Sequence, residues 1–292
     1  MRRNPEKFTS GGRTVVITGA SSGLGKECAQ YLDQLGFRVF AGVRKSADSE
    51  ALAAASSGRL RPLLLDVTRE DSIRDAVEVV SKDVRDRGLW GLVNNAGICV
   101  SAPLECVSPA QLREQLETNL VGHLAMTRAF LPLSRKARGR IVNVSSGLGR
   151  IASPYLGAYA ASQFAKEGLS DALRRELRPF GVTVAVVQPG AIKTPIWGKV
   201  SQLGHNTLDE SPEDVAQLYR ESFLKFLDRN DRRARSSATR PESFSKAVAH
   251  ALTAGRPKTR YRVGRDSQVT SVLARVLPDA VLDTAFGAVM RA

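Results

Sequence analysis

Short apolar, β-branched runs alternate along this chain with longer stretches of helical period, and no other feature constrains the fold as strongly. The runs are RTVVITG (13–19), FRVFAGV (37–43), LRPLLLDV (60–67), WGLVNNAG (90–97), GRIVNVSS (139–146), GVTVAVVQPG (181–190) and RYRVG (260–264). Between the first two lies a helix over 23–36, with Cys28, Leu32 and Leu35 on one face. A second, over 70–88, has Ile73, Val77, Val80 and Val84 at helical spacing. Further helices are expected from about Ser108 to Ser134 and from the segment at Tyr159 to about Pro179. Strands that are apolar on both faces and separated by helices make a parallel sheet covered on both sides. The expected class is therefore α/β, a doubly wound seven-stranded parallel sheet in one domain over 13–265. Residues 1–12 read as a flexible polar lead. Residues 191–240 read as an irregular flap after the sixth strand, on the ligand side of such sheets.

Of the 292 residues 42% are hydrophobic, enough to build a sizeable core. No apolar stretch of about 20 residues is present, so no membrane-spanning helix is expected. The N-terminus lacks the apolar core of a secretion signal. The three cysteines (Cys28, Cys99, Cys106) have no metal-ligand spacing and suit a reduced, cytoplasmic protein. His123, His205 and His250 are too scattered for a zinc site, and no metal is expected. The net charge of +14 owes much to 220–240. Aromatics are not interleaved there as single-strand binding would favour, so the stretch reads as a solvated basic surface and nucleic acid is not expected as a partner.

The first strand ends in TGASSGLG, with Gly19, Gly23 and Gly25, and runs directly into a helix. Glycines at that turn let a backbone approach a pyrophosphate at the helix N-terminus. The end of the second strand selects between nicotinamide cofactors. A carboxylate there binds the ribose hydroxyls of NAD and repels a 2′-phosphate. Here Val43 is followed by Arg44 and Lys45, which favours NADP(H), with NAD(H) as the second choice.

Three further pieces follow in order: NNAG (Asn94–Gly97), NVSSGLG (143–149) and YAASQ (159–163). With LDVT, TNLVG and QPGAIKT they resemble the classical short-chain dehydrogenase/reductase family over about 13–265. GLWGLVNNAGI and SDALRRELRPFGVTV are similar to its retinol and hydroxysteroid dehydrogenase branch and bacterial relatives. The resemblance implies a Rossmann-type fold, a dimer or tetramer, and hydride transfer between a nicotinamide and a secondary alcohol or ketone. It implies pyrophosphate binding by Gly19, Ser21, Ser22, Gly23, Leu24 and Gly25, with Arg44 beyond them. Adenine contacts fall to Asp66 and Val67, and the nicotinamide ribose to Asn95, Ala96 and Gly97. Pro189, Gly190, Ile192 and Thr194 are implied to fix the nicotinamide amide. Asn119 is implied to hold a helix kink and a relay water, Ser146 rather than Ser145 to orient substrate, and Tyr159 to be the acid/base.

One position departs from the pattern. Gln163 stands where the family has a lysine that binds ribose and lowers the tyrosine pKa. An amide keeps the first role but not the second. Losing a neighbouring cation costs alcohol oxidation about 10- to 1000-fold at neutral pH, by the 1–3 pKa units such a charge is worth. Carbonyl reduction, which uses the neutral phenol, suffers less. The alternative is a nicotinamide-binding pseudoenzyme. Lys166, two turns beyond Tyr159, reads either as a substitute cation or as a solvent-facing lysine beside Glu167. Ile192, Pro195, Ile196 and Trp197 read either as an apolar pocket for a steroid-, retinoid- or lipid-like substrate or as core under the flap. The tail over 266–292 is amphipathic, and packing against its own domain is its expected role, with a contact with a membrane surface, a subunit contact or a lid over the pocket as alternatives.

Overall fold

The structure is a computed structural model that describes residues 11–54 and 57–291, with side chains as far as 287. The expected flexible lead lies outside the described residues except for the turn at 11–12. The strands are β1 (Thr14–Ile17), β2 (Arg38–Val43), β3 (Leu60–Leu64), β4 (Gly91–Asn94), β5 (Arg140–Val144), β6 (Thr183–Pro189) and β7 (Arg260–Val263). They form one sheet in the order β3-β2-β1-β4-β5-β6-β7, every pair parallel. The central strands read as continuous apolar runs because both faces are covered; β1 and β4 are buried at every residue.

The helices are α1 (Gly23–Gln34), α2 (Ser46–Ala54), α3 (Glu70–Val84), α4 (Pro109–Leu116), α5 (Gly122–Lys136), α6 (Gly157–Leu177), α7 (Ile196–Asp209), α8 (Glu213–Arg235), α9 (Pro241–Thr253), α10 (Arg265–Val276) and α11 (Asp279–Arg291). Cys28 and Leu32 of α1, Leu52 of α2 and Phe244 and Val248 of α9 pack on one face of the sheet. Ile73 and Val80 of α3, Met126 and Phe130 of α5 and Leu173 of α6 pack on the other. The long helix expected over 108–134 is present but interrupted. Ser108 and Gln111 form a capping box that starts α4, and a wide π turn over Glu117–Val121 joins it to α5.

Two expectations fail. The chain from 191 to 240 is not irregular; most of it is α7 and α8. Their buried stripe (Val200, Leu208, Ala216, Phe223, Leu227) is thin, and α8 is so dense in charge that its period is masked. Those charges largely neutralise one another, as in Lys225–Glu221, Arg232–Asp228 and Arg235–Asp231. Lys166 is the other failure, since it does not face solvent (below). The flap has its own apolar cluster, in which the Tyr155 ring lies 5.2 Å edge-on from both Phe223 and Phe226. Tyr155 holds a φ of +64°, a strained conformation for a bulky residue, and its hydroxyl lies 2.8 Å from the Ser222 hydroxyl. The flap is thus anchored just ahead of α6. The tail forms α10 and α11, broken at Pro278.

Candidate active site

The strand order reverses between β1 and β4, so their carboxyl ends open a crevice. Gly19, at φ +67°, forms its floor; a Cβ there would lie 2.7 Å from the Ala96 Cα. Asn95 donates from Nδ2 to the carbonyls of Thr18 (2.9 Å) and Gly19 (3.1 Å). Thr18 Oγ1 accepts from the amides of Asn95 and Ala96, both at 2.9 Å. This pin was missed in the sequence, because a threonine ending a strand carries no signal of its own. Ser22 precedes α1 without a side-chain cap, so the first amides of the helix stay available at its positive end. Ser21 and Ser22 are exposed, and Gly23 and Leu24 half-buried, along the same loop. Narrow glycine floor, uncapped amides and open loop together fit a pyrophosphate. A Cβ on Gly25 would lie 2.1 Å from the Gly19 carbonyl oxygen. Gly25→Ala is therefore expected to weaken nicotinamide nucleotide binding about tenfold or more, since overpacking costs about 1–3 kcal/mol. Fluorescence titration checks this; unchanged affinity would mean the loop absorbs the methyl.

Arg44 and Lys45 follow β2 and are exposed. Across from them, past β3, lie Asp66 and the buried Val67. Burial works to raise the Asp66 carboxyl, but hydrogen bonds from Thr68 and the charges of Arg44 and Arg69 outweigh it and hold it below the usual range.

Tyr159 enters from the first turns of α6. Burial pushes its phenol far above the usual value, Cys99 adds to this, and a hydrogen bond with Ser146 opposes it. Ser146 Oγ also accepts from the Leu148 amide at 3.2 Å. Ser145 points away and donates to buried Glu167 at 2.5 Å. Asn119 sits in the π turn and clasps Ile98, accepting from its amide and donating to its carbonyl, both at 2.9 Å. Gly97 packs against it; a Cβ there would meet Asn119 Oδ1 at 3.3 Å. Gln163 is buried; its Nε2 lies 3.5 Å from Ser162 Oγ and its Oε1 has no partner. Lys166 is 2% exposed and donates to the Val144 carbonyl at 3.0 Å. The solvent-facing reading of Lys166 fails because α6 turns this face onto β5, and Glu167 is also buried.

A cavity of about 440 Å³ opens beside these groups. Tyr159 and Ser146 form one wall, and Leu24, Pro189, Gly190 and Thr194 join it to the glycine crevice. Ile192, Ile196 and Trp197 line it; Pro195 does not, and its ring lies instead beside the glycine loop, where a Cβ on Gly23 would meet its Cδ at 3.8 Å. Leu277, Leu282 and Phe286 from the tail close the far side, together with Phe226 of α8. Asn119 and Gln163 stand behind the wall rather than in it. Asp266 ties these parts together, accepting from the Ala191 amide at 2.6 Å and from Arg233 at 3.2 Å.

Residues 13–203 match the family described as short chain dehydrogenase. The chain belongs to the short-chain dehydrogenase family. Among curated relatives of this short-chain dehydrogenase is 3-amino-tetrahydro-pyrrolizinone reductase from Xenorhabdus hominickii, 43% identical, covering 94% of each chain. Another is 17-beta-hydroxysteroid dehydrogenase type 6 from Bos taurus, 42% identical over 92% of this chain and 86% of that one. A solved short-chain dehydrogenase from Streptomyces avermitilis superposes with a TM-score of 0.76 at 26% identity, covering 96% of this chain and 98% of the other. One from Burkholderia cenocepacia, in complex with NADP, gives 0.72 at 27%, covering 94% and 97%. Membership makes this short-chain dehydrogenase an oxidoreductase working with a nicotinamide cofactor.

Proposed function

We propose that the chain is an NADP(H)-preferring oxidoreductase that interconverts a secondary alcohol and a carbonyl on an apolar substrate, with Tyr159 as acid/base. The observation that carries this reading is the single cavity, apolar over most of its wall, that brings the hydroxyls of Tyr159 and Ser146 up to the glycine crevice. A pyrrolizinone reductase and a hydroxysteroid dehydrogenase among the relatives agree with a substrate bearing a ring carbonyl or hydroxyl. Residues 191–240 serve as the substrate-side flap, and the tail, from 266 on, as its lid. Arg44 and Lys45, with no carboxylate at the end of β2, support NADP(H) over NAD(H).

When bound, the nicotinamide supplies or takes the hydride. Ser146 holds the substrate oxygen and Tyr159 gives that oxygen its proton. Asn119 supports the relay by holding the π turn open behind them. A phenol held above its usual pKa stays protonated at neutral pH, so the donor that reduction uses is always populated and the phenolate that oxidation needs is scarce. The uncapped amides of α1 would hold the pyrophosphate, and Asn95 fixes the glycine turn through the Thr18 and Gly19 carbonyls.

The test is NADPH oxidation against steroid, retinoid and small cyclic ketones, run beside Gln163→Lys. Turnover by the native chain, with Gln163→Lys gaining mainly in alcohol oxidation, is expected. Arg44→Ala should shift preference toward NADH by about tenfold, the worth of one charge-assisted contact of about 1.5 kcal/mol. A native chain that binds NADPH and reduces nothing, while Gln163→Lys turns over, would replace this reading with the pseudoenzyme that Gln163 alone favours.

A further inference from the structure

Where β6 ends, the chain runs along the border between the cavity and the glycine crevice. Pro189, Gly190, Ile192 and Thr194 line the cavity beside Tyr159 and Ser146, and a Cβ on Gly23 would meet the Thr194 Cβ at 3.4 Å. This segment is thus the wall that joins the pyrophosphate end of the crevice to the reacting hydroxyls. Its backbone is held by side chains from outside it. Ser267 Oγ donates to the Gln188 carbonyl at 2.7 Å, Ser237 Oγ to the Ala191 carbonyl at 2.5 Å and Trp197 Nε1 to the Ile192 carbonyl at 2.7 Å. The Ala191 amide donates to Asp266 Oδ2 at 2.6 Å. Of these four side chains only Asp266 is charged, and only it accepts. The space around it is shaped for a carboxylate. A Cβ on Gly190 would lie 1.9 Å from Asp266 Oδ1, and one on Gly264, at φ +100°, 2.6 Å from it. Oδ1 accepts from the Ser267 amide at 2.9 Å in the first turn of α10, where negative charge is favoured.

Oδ2 takes two donors, the Ala191 amide and Arg233 at 3.2 Å. Arg233 belongs to α8, whose Phe226, Asn230 and Arg233 face the cavity at helical spacing. One oxygen atom therefore joins the nicotinamide side of the site to its substrate-side flap. The Arg233 side chain is 59% exposed, and an ion pair so open to water adds little to the stability of the fold. Resting on the function proposed above, we infer that Asp266 is a positioning residue for hydride transfer: it sets the backbone of 190–192 against the nicotinamide, and Arg233 makes that setting depend on where the flap lies. Every group that faces the carboxylate is a donor, so asparagine is no substitute. Whichever way an amide turns, its NH2 meets either the Ser267 amide or the Ala191 amide and Arg233. Arg233→Met, by contrast, leaves the Ala191 bond in place and releases only the flap.

The test uses the full chain and two probes, NADPH and adenosine 2′,5′-bisphosphate, which lacks the nicotinamide. Asp266→Asn should weaken NADPH binding about tenfold, the effect of one charge-assisted hydrogen bond, and move the emission of bound NADPH toward that of the free form. The bisphosphate should bind as it does to the native chain. Equal weakening of both probes would make Asp266 a residue that merely holds the fold, and no weakening of either would leave it without a role at the site; both results overturn the inference. Neither readout needs a ketone. A native chain that binds neither probe would remove the proposed function itself and the inference with it. Should Asp266→Asn fold poorly, Asp266→Ala sets no donor against donors, and added formate should recover its NADPH affinity; an affinity that formate leaves low overturns the inference. With a ketone that is turned over, Arg233→Met should lower kcat about threefold with both KM values unchanged, the size of effect an exposed ion pair allows. Arg233→Lys should restore the rate, and Arg233→Met/Asp266→Asn should be no slower than Asp266→Asn alone. A loss confined to KM, or losses that multiply in the double variant, would overturn the link between flap and nicotinamide.

Discussion

Tyr159→Phe lowers kcat for ketone reduction by about 100- to 10,000-fold, the range for loss of a positioned general acid. NADPH affinity is unchanged, because the glycine crevice and the Asn95 pin do not involve the phenol. Stopped-flow reduction and a fluorescence titration on the same variant measure both. A loss of less than tenfold would move the acid elsewhere, and Ser146, the hydroxyl beside it, would be the next group to replace. The pH dependence sharpens the test. A phenol held far above its usual pKa contributes no limb to reduction between pH 6 and 9, whereas alcohol oxidation, which needs the phenolate, climbs with pH across that whole interval. Oxidation that is flat with pH would contradict the assignment of the base.

Lys166→Met raises the stability of the protein at neutral pH, and the gain disappears as pH rises. The amine falls from 10.5 to about 7 on folding, chiefly because burial penalises its charge. Between those values the unfolded chain binds more protons than the folded one, so this group costs stability in full below pH 7 and progressively less up to 10.5. At about 1.4 kcal/mol for each tenfold change, the cost approaches roughly 5 kcal/mol. Methionine fills similar space with no charge, though it leaves the Val144 carbonyl without its donor, which gives back about 1–3 kcal/mol. Thermal melts of both chains at pH 6.5 and 10 check this. A variant less stable than the native chain at pH 6.5 would mean that the ammonium is better satisfied than its single hydrogen bond implies. A side chain that costs stability where an apolar one would fit is the kind of feature found at working sites.

Much of the fold was legible because each strand reads as an unbroken apolar run, and the strand order follows from right-handed crossovers between parallel neighbours. The glycine crevice was legible for a related reason. Gly19 and Gly25 stand where no Cβ fits, and only their spacing after a strand was needed to say so. Other features lie beyond a one-dimensional reading. The flap helices were hidden because α8 spends most of its length on ion pairs such as Lys225–Glu221. The burial of Lys166 and Glu167 was hidden because an adjacent lysine and glutamate read as a solvated pair. The sheet on that face of α6 reveals otherwise, through Val144 of β5, Gln188 of β6 and Arg260 of β7. The tail was legible as an amphipathic segment, but that Leu277 and Phe286 line the cavity was not, because they lie more than a hundred residues from Tyr159. The role of Thr18 as a clamp between β1 and β4 depends on strand neighbours far apart in the chain.

The third apolar cluster, built from Tyr155, Leu208, Ala216, Phe223 and Leu227, shares no member with the two that sandwich the sheet. Local opening in proteins follows such boundaries between clusters, so the flap and the sheet need not open together. Inheritance can act on the same seam. Substitutions confined to the flap draw on contacts that the two sheet clusters do not share, so the cavity wall it supplies can change while the glycine crevice stays as it is. Tyr155 is where that freedom stops, since its strained backbone and its ring join the flap to the first turn of the helix that carries Tyr159.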